Sequence, residues 1–237
     1  MTTRSRTRLL DADSALKGFF RDPEWMFKTG IGGMIIAGGI ILVMLTPLAL
    51  PISLALYSLI CGYNLRVIRY KALNPECKLP DWDEWMELFI SGLTWLAIQF
   101  GLALIPLSIL TASLLAADAT GTIKIASGSA FLTWAATTTL LMVTICTALS
   151  LLTPLLMVNF AIEERVSAGF SFFKVGARIA GNPKEVLVTW LLAIGIGWCS
   201  ILLPVVSLIG IFFIPSTIFI GHVVCATLYA QLWGDLK

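Results

Sequence analysis

Four stretches of this sequence contain no Asp, Glu, Lys or Arg: 29–65, 88–117, 125–162 and 186–234. About 20 apolar residues carry a helix across the hydrocarbon core of a bilayer, so each stretch holds at least one crossing. A backbone in lipid must satisfy its own hydrogen bonds, which leaves helices and closed barrels as the spanning structures. The apolar runs are far longer than barrel strands, so the class is all-α. The composition agrees: 58% of residues are hydrophobic and 13% charged. A soluble domain has about 45–50% and about 25%. A water-soluble globular domain and a disordered chain are both excluded.

The first and last stretches run to 37 and 49 residues and break in the middle, at Pro47 and Pro51 and between Pro204 and Gly210. Proline in a helix interior removes a hydrogen bond and clashes with the preceding turn. Each of these stretches therefore reads as a hairpin of two spans, and the total is six. Charge placement tests the count. With six spans, the segments 1–28, 66–87, 163–185 and 235–237 share one side and hold 15 of the 16 Lys and Arg residues; Lys124 alone lies opposite. With four spans the split would be even. A strong bias in short loops marks the cytoplasmic side, so both termini are expected there. Met1 to Lys28 has no apolar core of its own and reads as a cytoplasmic tail with an interfacial helix, not a secretory signal peptide. Residues 29–234 form one membrane domain, with hairpins at about 29–70, 88–162 and 186–234.

Spans one, three and five open alike. Asp22 and Asn182 suit N-caps, with Pro23 and Pro183 at the first helical position. Asp81 with Glu84, and Asn182 with Glu185, have capping-box spacing. Trp82, Trp85, Met86 and Phe89 form an apolar stripe, as do Val166, Phe170, Phe173 and Ala177 beside Ser171, Lys174 and Arg178. Each hairpin is thus expected to follow a short helix lying in the interface.

Phe20-x-Asp22-Pro23-x-Trp25-x-x-Lys28 leads into Gly32-Gly33; Gly62-Tyr63 precedes Arg66 and Arg69; Leu79-Pro80-x-Trp82 precedes Trp85, Leu88-Phe89 and Gly92. This order resembles the prokaryotic membrane proteins grouped as domain of unknown function 4013, over roughly residues 14–234. The resemblance implies a multi-pass protein of a prokaryotic cell membrane or internal membrane. It implies no reaction and no catalytic residue.

The residues supply little catalytic chemistry. There is no H-E-x-x-H, no Gly-x-Ser-x-Gly, no phosphate-binding glycine loop and a single histidine, His222, within span six. Five cysteines are scattered without metal-ligand spacing. No cofactor, metal or catalytic residue is expected, and a net charge of +2 gives no case for nucleic acid. His222 is expected to hydrogen-bond across helices or mark a site. Gln99, Asn159, the threonines of span four and Pro154, which would kink that span, are the other pathway or packing candidates. Four carboxylates, Asp81, Asp83, Glu84 and Glu87, read as a solvated helix start or a docking surface. Trp25, Trp82 and Trp85 suit a headgroup belt. Gly30, Gly33 and Ala37, with Gly195 and Cys199, present small residues that suit internal packing or a seam with another subunit.

Two functions stay open. The first is a non-enzymatic accessory, assembly or scaffold protein acting through helix and interfacial contacts, with the bilayer, a membrane-protein partner or a second copy. The alternative is a small permease for a neutral or lipid-like solute. An enzyme acting on lipid is a distant third, since His222 sits at mid-membrane, away from the carboxylates.

Overall fold

The computed structural model describes residues 12–120, 128–207 and 210–235. Its elements are α1 (Ala12–Phe20), α2 (Trp25–Leu45), α3 (Leu50–Leu73), α4 (Trp85–Ala119), α5 (Ser129–Glu163), α6 (Phe172–Gly181), α7 (Pro183–Val206) and α8 (Ile214–Asp235), with 3-10 turns at Pro47–Ala49, Val166–Phe170 and Gly210–Phe213. Six helices among the described residues are long and apolar enough to cross a membrane. The protein is an all-α, multi-pass membrane protein of three hairpins: α2–α3, α4–α5 and α7–α8. Lys124 and the segment before Ala12 lie outside the described residues.

The hairpin turns form where proline breaks the ladder. Thr46 is extended, and its hydroxyl accepts from Leu48 N at 3.3 Å, starting the 3-10 turn at Pro47. Pro204 sits in the last turn of α7, and Ser207 N donates to its carbonyl at 3.2 Å. Six crossings put Ala12 and Asp235 at one end of the bundle. Among the described residues that end carries every Asp, Glu, Lys and Arg except Asp118, and it is called the charged end below.

α3 and α8 form the centre. α3 packs on α2, α4, α5 and α8; α8 packs on α1, α2, α3, α5 and α7. Half of the spanning window of α3 is buried but only 11% of those of α4 and α7. The core gathers Tyr63, Leu65, Ile68, Trp95, Leu155, Phe219 and Leu228.

α3 and α4 meet closer than any side chain allows. A Cβ on Gly62 would lie 1.9 Å from Leu88 O, and one on Gly92 would lie 1.7 Å from Ser58 O. Four-residue spacing on both helices puts glycine on each at one crossing, so the backbones touch, as in other membrane helix pairs with small residues at the seam.

Three helix starts differ from expectation. α2 begins at Trp25 with Glu24 at its N-cap, although Asp22 Oδ1 still accepts from Glu24 N at 2.8 Å while Oδ2 takes Lys28 and Leu79 N. No separate interfacial helix precedes span three among the described residues: 74–84 is irregular, and α4 begins at Trp85. The Asp81–Glu84 capping box does not form, since Glu84 is left-handed (φ 48°) and its carboxylate pairs with Arg66. Asn182 does occupy the N-cap of α7, without a side-chain cap bond. The amphipathic 165–180 segment is two pieces, the Val166–Phe170 turn and α6, divided at Ser171.

Candidate functional site

The charged end holds a buried polar knot built from the elements that start and finish there. Lys28, in the first turn of α2, is 3% exposed. Its ammonium meets Asp22 Oδ2 at 2.9 Å, Asp81 Oδ1 at 2.8 Å and Leu79 O at 2.8 Å. Three N–H donors have three acceptors, so the buried cation is fully compensated. Asp22 in turn accepts from Glu24 N at 2.8 Å and Leu79 N at 3.0 Å. Burial opposes the charge on Asp22, but Lys28 and these two backbone donors outweigh it and hold the carboxyl below the usual carboxylate range.

The Leu79–Trp85 loop is bound into the bundle by the same residues. Trp82 Nε1 donates to Lys28 O at 3.1 Å, and the Tyr63 hydroxyl donates to Pro80 O at 2.9 Å. The Tyr63 and Trp82 rings stack 4.3 Å apart, Trp85 stacks on Trp82 at 5.4 Å, and Phe219 of α8 closes the cluster 5.8 Å from Trp82. A Cβ on Gly32 would lie 2.3 Å from the Phe219 ring, so that glycine admits the aromatic.

A second, more exposed network lies beside the first. Arg66, 6% exposed, pairs with Asp83, with Glu84 at 3.1 Å and with Glu87 at 3.5 Å. Arg69, one turn on, donates from Nε to Ala161 O at 3.1 Å and pairs with Glu164 at 3.0 Å and Glu87 at 3.5 Å. Glu84 and Glu164 are the two non-glycine residues with positive φ among the described residues (48° and 54°). One starts α4 and the other ends α5. The left-handed conformation costs an L-residue about 1–2 kcal/mol, and here each carboxylate is tied to an arginine of α3. The two arginines clamp the roots of the second hairpin to the first.

The acidic segment Asp81–Glu87 is therefore not a free solvated run. Its carboxylates are exposed on one side and neutralised by Lys28, Arg66 and Arg69 on the other. Among the described residues no three His, Cys, Asp or Glu side chains gather as a metal site.

Asn159 is buried and its amide donates to Ala168 O at 2.9 Å and Ser171 Oγ at 2.7 Å, fastening the 166–171 segment under α5. Gln99 is half-buried on α4, and Pro154 lies inside α5, which continues as helix to Glu163. Thr133, Thr137, Thr144 and Thr153 donate to carbonyls of their own helix. His222 Nδ1 lies 2.9 Å from Ile218 O in its own helix, not across helices, and the imidazole lines a groove of about 440 Å³ with Trp198 and Cys225. Gly33 packs on Ser216, Gly30 meets nothing within 4 Å, and Ala37 is half-buried. Trp25 is half-buried, Trp82 buried and Trp85 45% exposed.

Chemistry alone does not mark Lys28, Tyr63, Arg66 and Arg69, which organise this end, as site residues. Their signal lay in the motif block Gly62-Tyr63…Arg66…Arg69 and Leu79-Pro80-x-Trp82, whose members turn out to bond one another.

A family profile described as "Protein of unknown function (DUF4013)" matches residues 47–214, more than two thirds of the chain. The match takes in Gly62 to Gly92 and begins after the Phe20–Gly33 block. No curated protein and no solved structure matches the chain.

Proposed function

This chain belongs to the DUF4013 family, proteins of unknown function, and from that premise we propose that it is a non-enzymatic accessory protein of a cell membrane, with its charged end in the cytoplasm. It presents the α4–α5 hairpin to a transmembrane helix of a partner or of a second copy. The observation that carries this reading is the outer part of that hairpin. Both helices have 35 residues, about 52 Å at the helical rise, and no residue of 103–116 in α4 or of 129–154 in α5 is buried. Ser113 and Thr138 hydroxyls, 2.9 Å apart, hold the two together. Along one exposed face of α5 run Thr133, Thr137, Thr144 and Thr147. Lipid is as apolar as leucine, so such a face gains nothing against lipid but lets a second helix approach closely.

Catalysis and ion-coupled transport have less support. Every donor of Lys28 has an acceptor, the Asn159 amide N–H groups are taken by the 166–171 segment, and the hydroxyls of Thr133, Thr137 and Thr144 bond their own backbone.

The test is the mass of the complex in a mild detergent. The reading expects a complex heavier than one 25.8 kDa chain, reduced to the monomer by Thr137→Leu with Thr144→Leu. A lone monomer, with no partner crosslinked in membranes, overturns it. Orientation is tested at Cys77: a membrane-impermeant maleimide should reach it only from the cytoplasmic side.

A further inference from the structure

A groove of about 980 Å³ runs along the outer face of the α7–α8 hairpin. Leu191, Ile196, Leu203 and Phe213 are among its walls, and Leu16 and Asp13 of α1 line it at the charged end. Along α7 it extends from Val188 to Leu203, about 22 Å at the helical rise. We propose that this groove is a phospholipid site, in which one acyl chain lies along α7–α8 and a zwitterionic amine headgroup, of the phosphoethanolamine type, sits at Asp13 and Lys17.

Three observations select this occupant. First, the hydroxyls of the wall are already satisfied: Thr217 Oγ1 donates to Ser200 O at 2.6 Å and Ser200 Oγ to Ile196 O at 2.8 Å. Away from Asp13 a guest finds apolar surface, which suits a hydrocarbon chain. Second, Leu16 and Asp13 of α1 border the groove at the charged end. A guest helix needs an open path of about 30 Å to cross the bilayer, whereas an acyl chain needs to enter from one leaflet and stop at its headgroup. Third, Asp13, a wall residue at that end, pairs with Lys17 one turn on and just outside the lining, and both are exposed. An ammonium and a phosphate on one headgroup complement that pair without bringing in net charge. A purely anionic headgroup complements only Lys17.

The floor supplies the variant. Gly195 lies in the groove wall and a Cβ there meets nothing within 4 Å, so the side chain of Gly195→Leu projects into the groove, and an unchanged Tm serves as the check that the fold is kept. The experiment places the full-length protein in vesicles containing a trace of phosphatidylethanolamine or phosphatidylglycerol with a photoactivatable group at the middle of one acyl chain. Labelled peptides are then counted by mass spectrometry. Peptides covering 188–203 and 213–224 should be labelled about fivefold more by the ethanolamine probe, the scale of one exposed charge pair. Gly195→Leu should remove that labelling while leaving the labelling of α4 and α5 unchanged. Asp13→Asn with Lys17→Gln should bring the two probes level while the chain contact remains. Equal labelling by the two probes in the unaltered protein, or groove labelling that survives Gly195→Leu, overturns the proposal.

Discussion

Replacing Gly92 by alanine tests the α3–α4 crossing, on which the seating of the second hairpin depends. The new Cβ would lie 1.7 Å from Ser58 O and 2.7 Å from both Gly62 N and the Ser58 carbonyl carbon. All three partners are backbone, so no side chain can swing away. The gap must open to about 3.0 Å, the limit for real Cβ contacts. A radial gap of 0.5–1 Å already forfeits about a quarter to a half of the dispersion energy of a contact, and the separation required here is larger. Overpacking of this kind costs about 1–3 kcal/mol or more. Alanine returns only about 0.5–1 kcal/mol through backbone entropy. A net loss of about 2 kcal/mol corresponds to about 4–8 °C in Tm for a chain of this size. The assay is thermal unfolding in mild detergent, followed by size-exclusion fluorescence. Gly30→Ala is the matched control: it lies in α2 with nothing within 4 Å of its Cβ position, so it should hold or raise the Tm. If Gly92→Ala were as stable as Gly30→Ala, the backbone contact could not be what seats α4.

Lys28→Met leaves the buried Asp22 carboxylate without its cation and should cost about 3–5 kcal/mol; the Lys28→Met, Asp22→Asn double variant should recover part of that loss in the same unfolding assay. The Asp22 carboxyl titrates below its ordinary 3.8 in the fold. Its contribution is therefore complete above the unfolded value and is lost as pH falls through the lower folded value, so acid unfolding curves measured below about pH 4 should flatten in Asp22→Asn. Arg69→Gln removes the ion pairs to Glu87 and Glu164, and hydrogen exchange at the end of α5 around Ala161–Glu164 should rise at least several-fold while exchange in α8 stays constant.

The spans and their hairpin turns are readable from the sequence, because absence of charge over 30 or more residues and proline at a turn are local signals. The starts of the helices are less so. Asp81 and Glu84 have the right spacing for a capping box, yet each carboxylate has a stronger partner elsewhere in the bundle, Lys28 for the first and Arg66 for the second, while Asp22 serves Glu24 N and Lys28 together. A charge-assisted bond to a buried cation outcompetes a cap bond to a backbone amide, and the competition is decided by tertiary contact that spacing cannot express. Lys28 lies six residues from Asp22 but 53 from Asp81, and only folding brings the three together. The same limit explains the arginines. The sequence shows Arg66 and Arg69 only as basic residues that follow Gly62-Tyr63 just past the uncharged stretch 29–65; their role as a clamp on the second hairpin depends on where α4 begins and α5 ends. Gly62 and Gly92 carry a signal of their own as glycines within spans, but that they face each other is a fact of the α3–α4 register.

The most direct test of the accessory-protein account is site-specific photocrosslinking in native membranes from position 144 on the threonine face of α5, with position 41 on the exposed side of α2 as reference. The account predicts a discrete protein adduct from position 144, lost in Thr137→Leu, and only lipid adducts from position 41. Lipid adducts alone from both positions would contradict it.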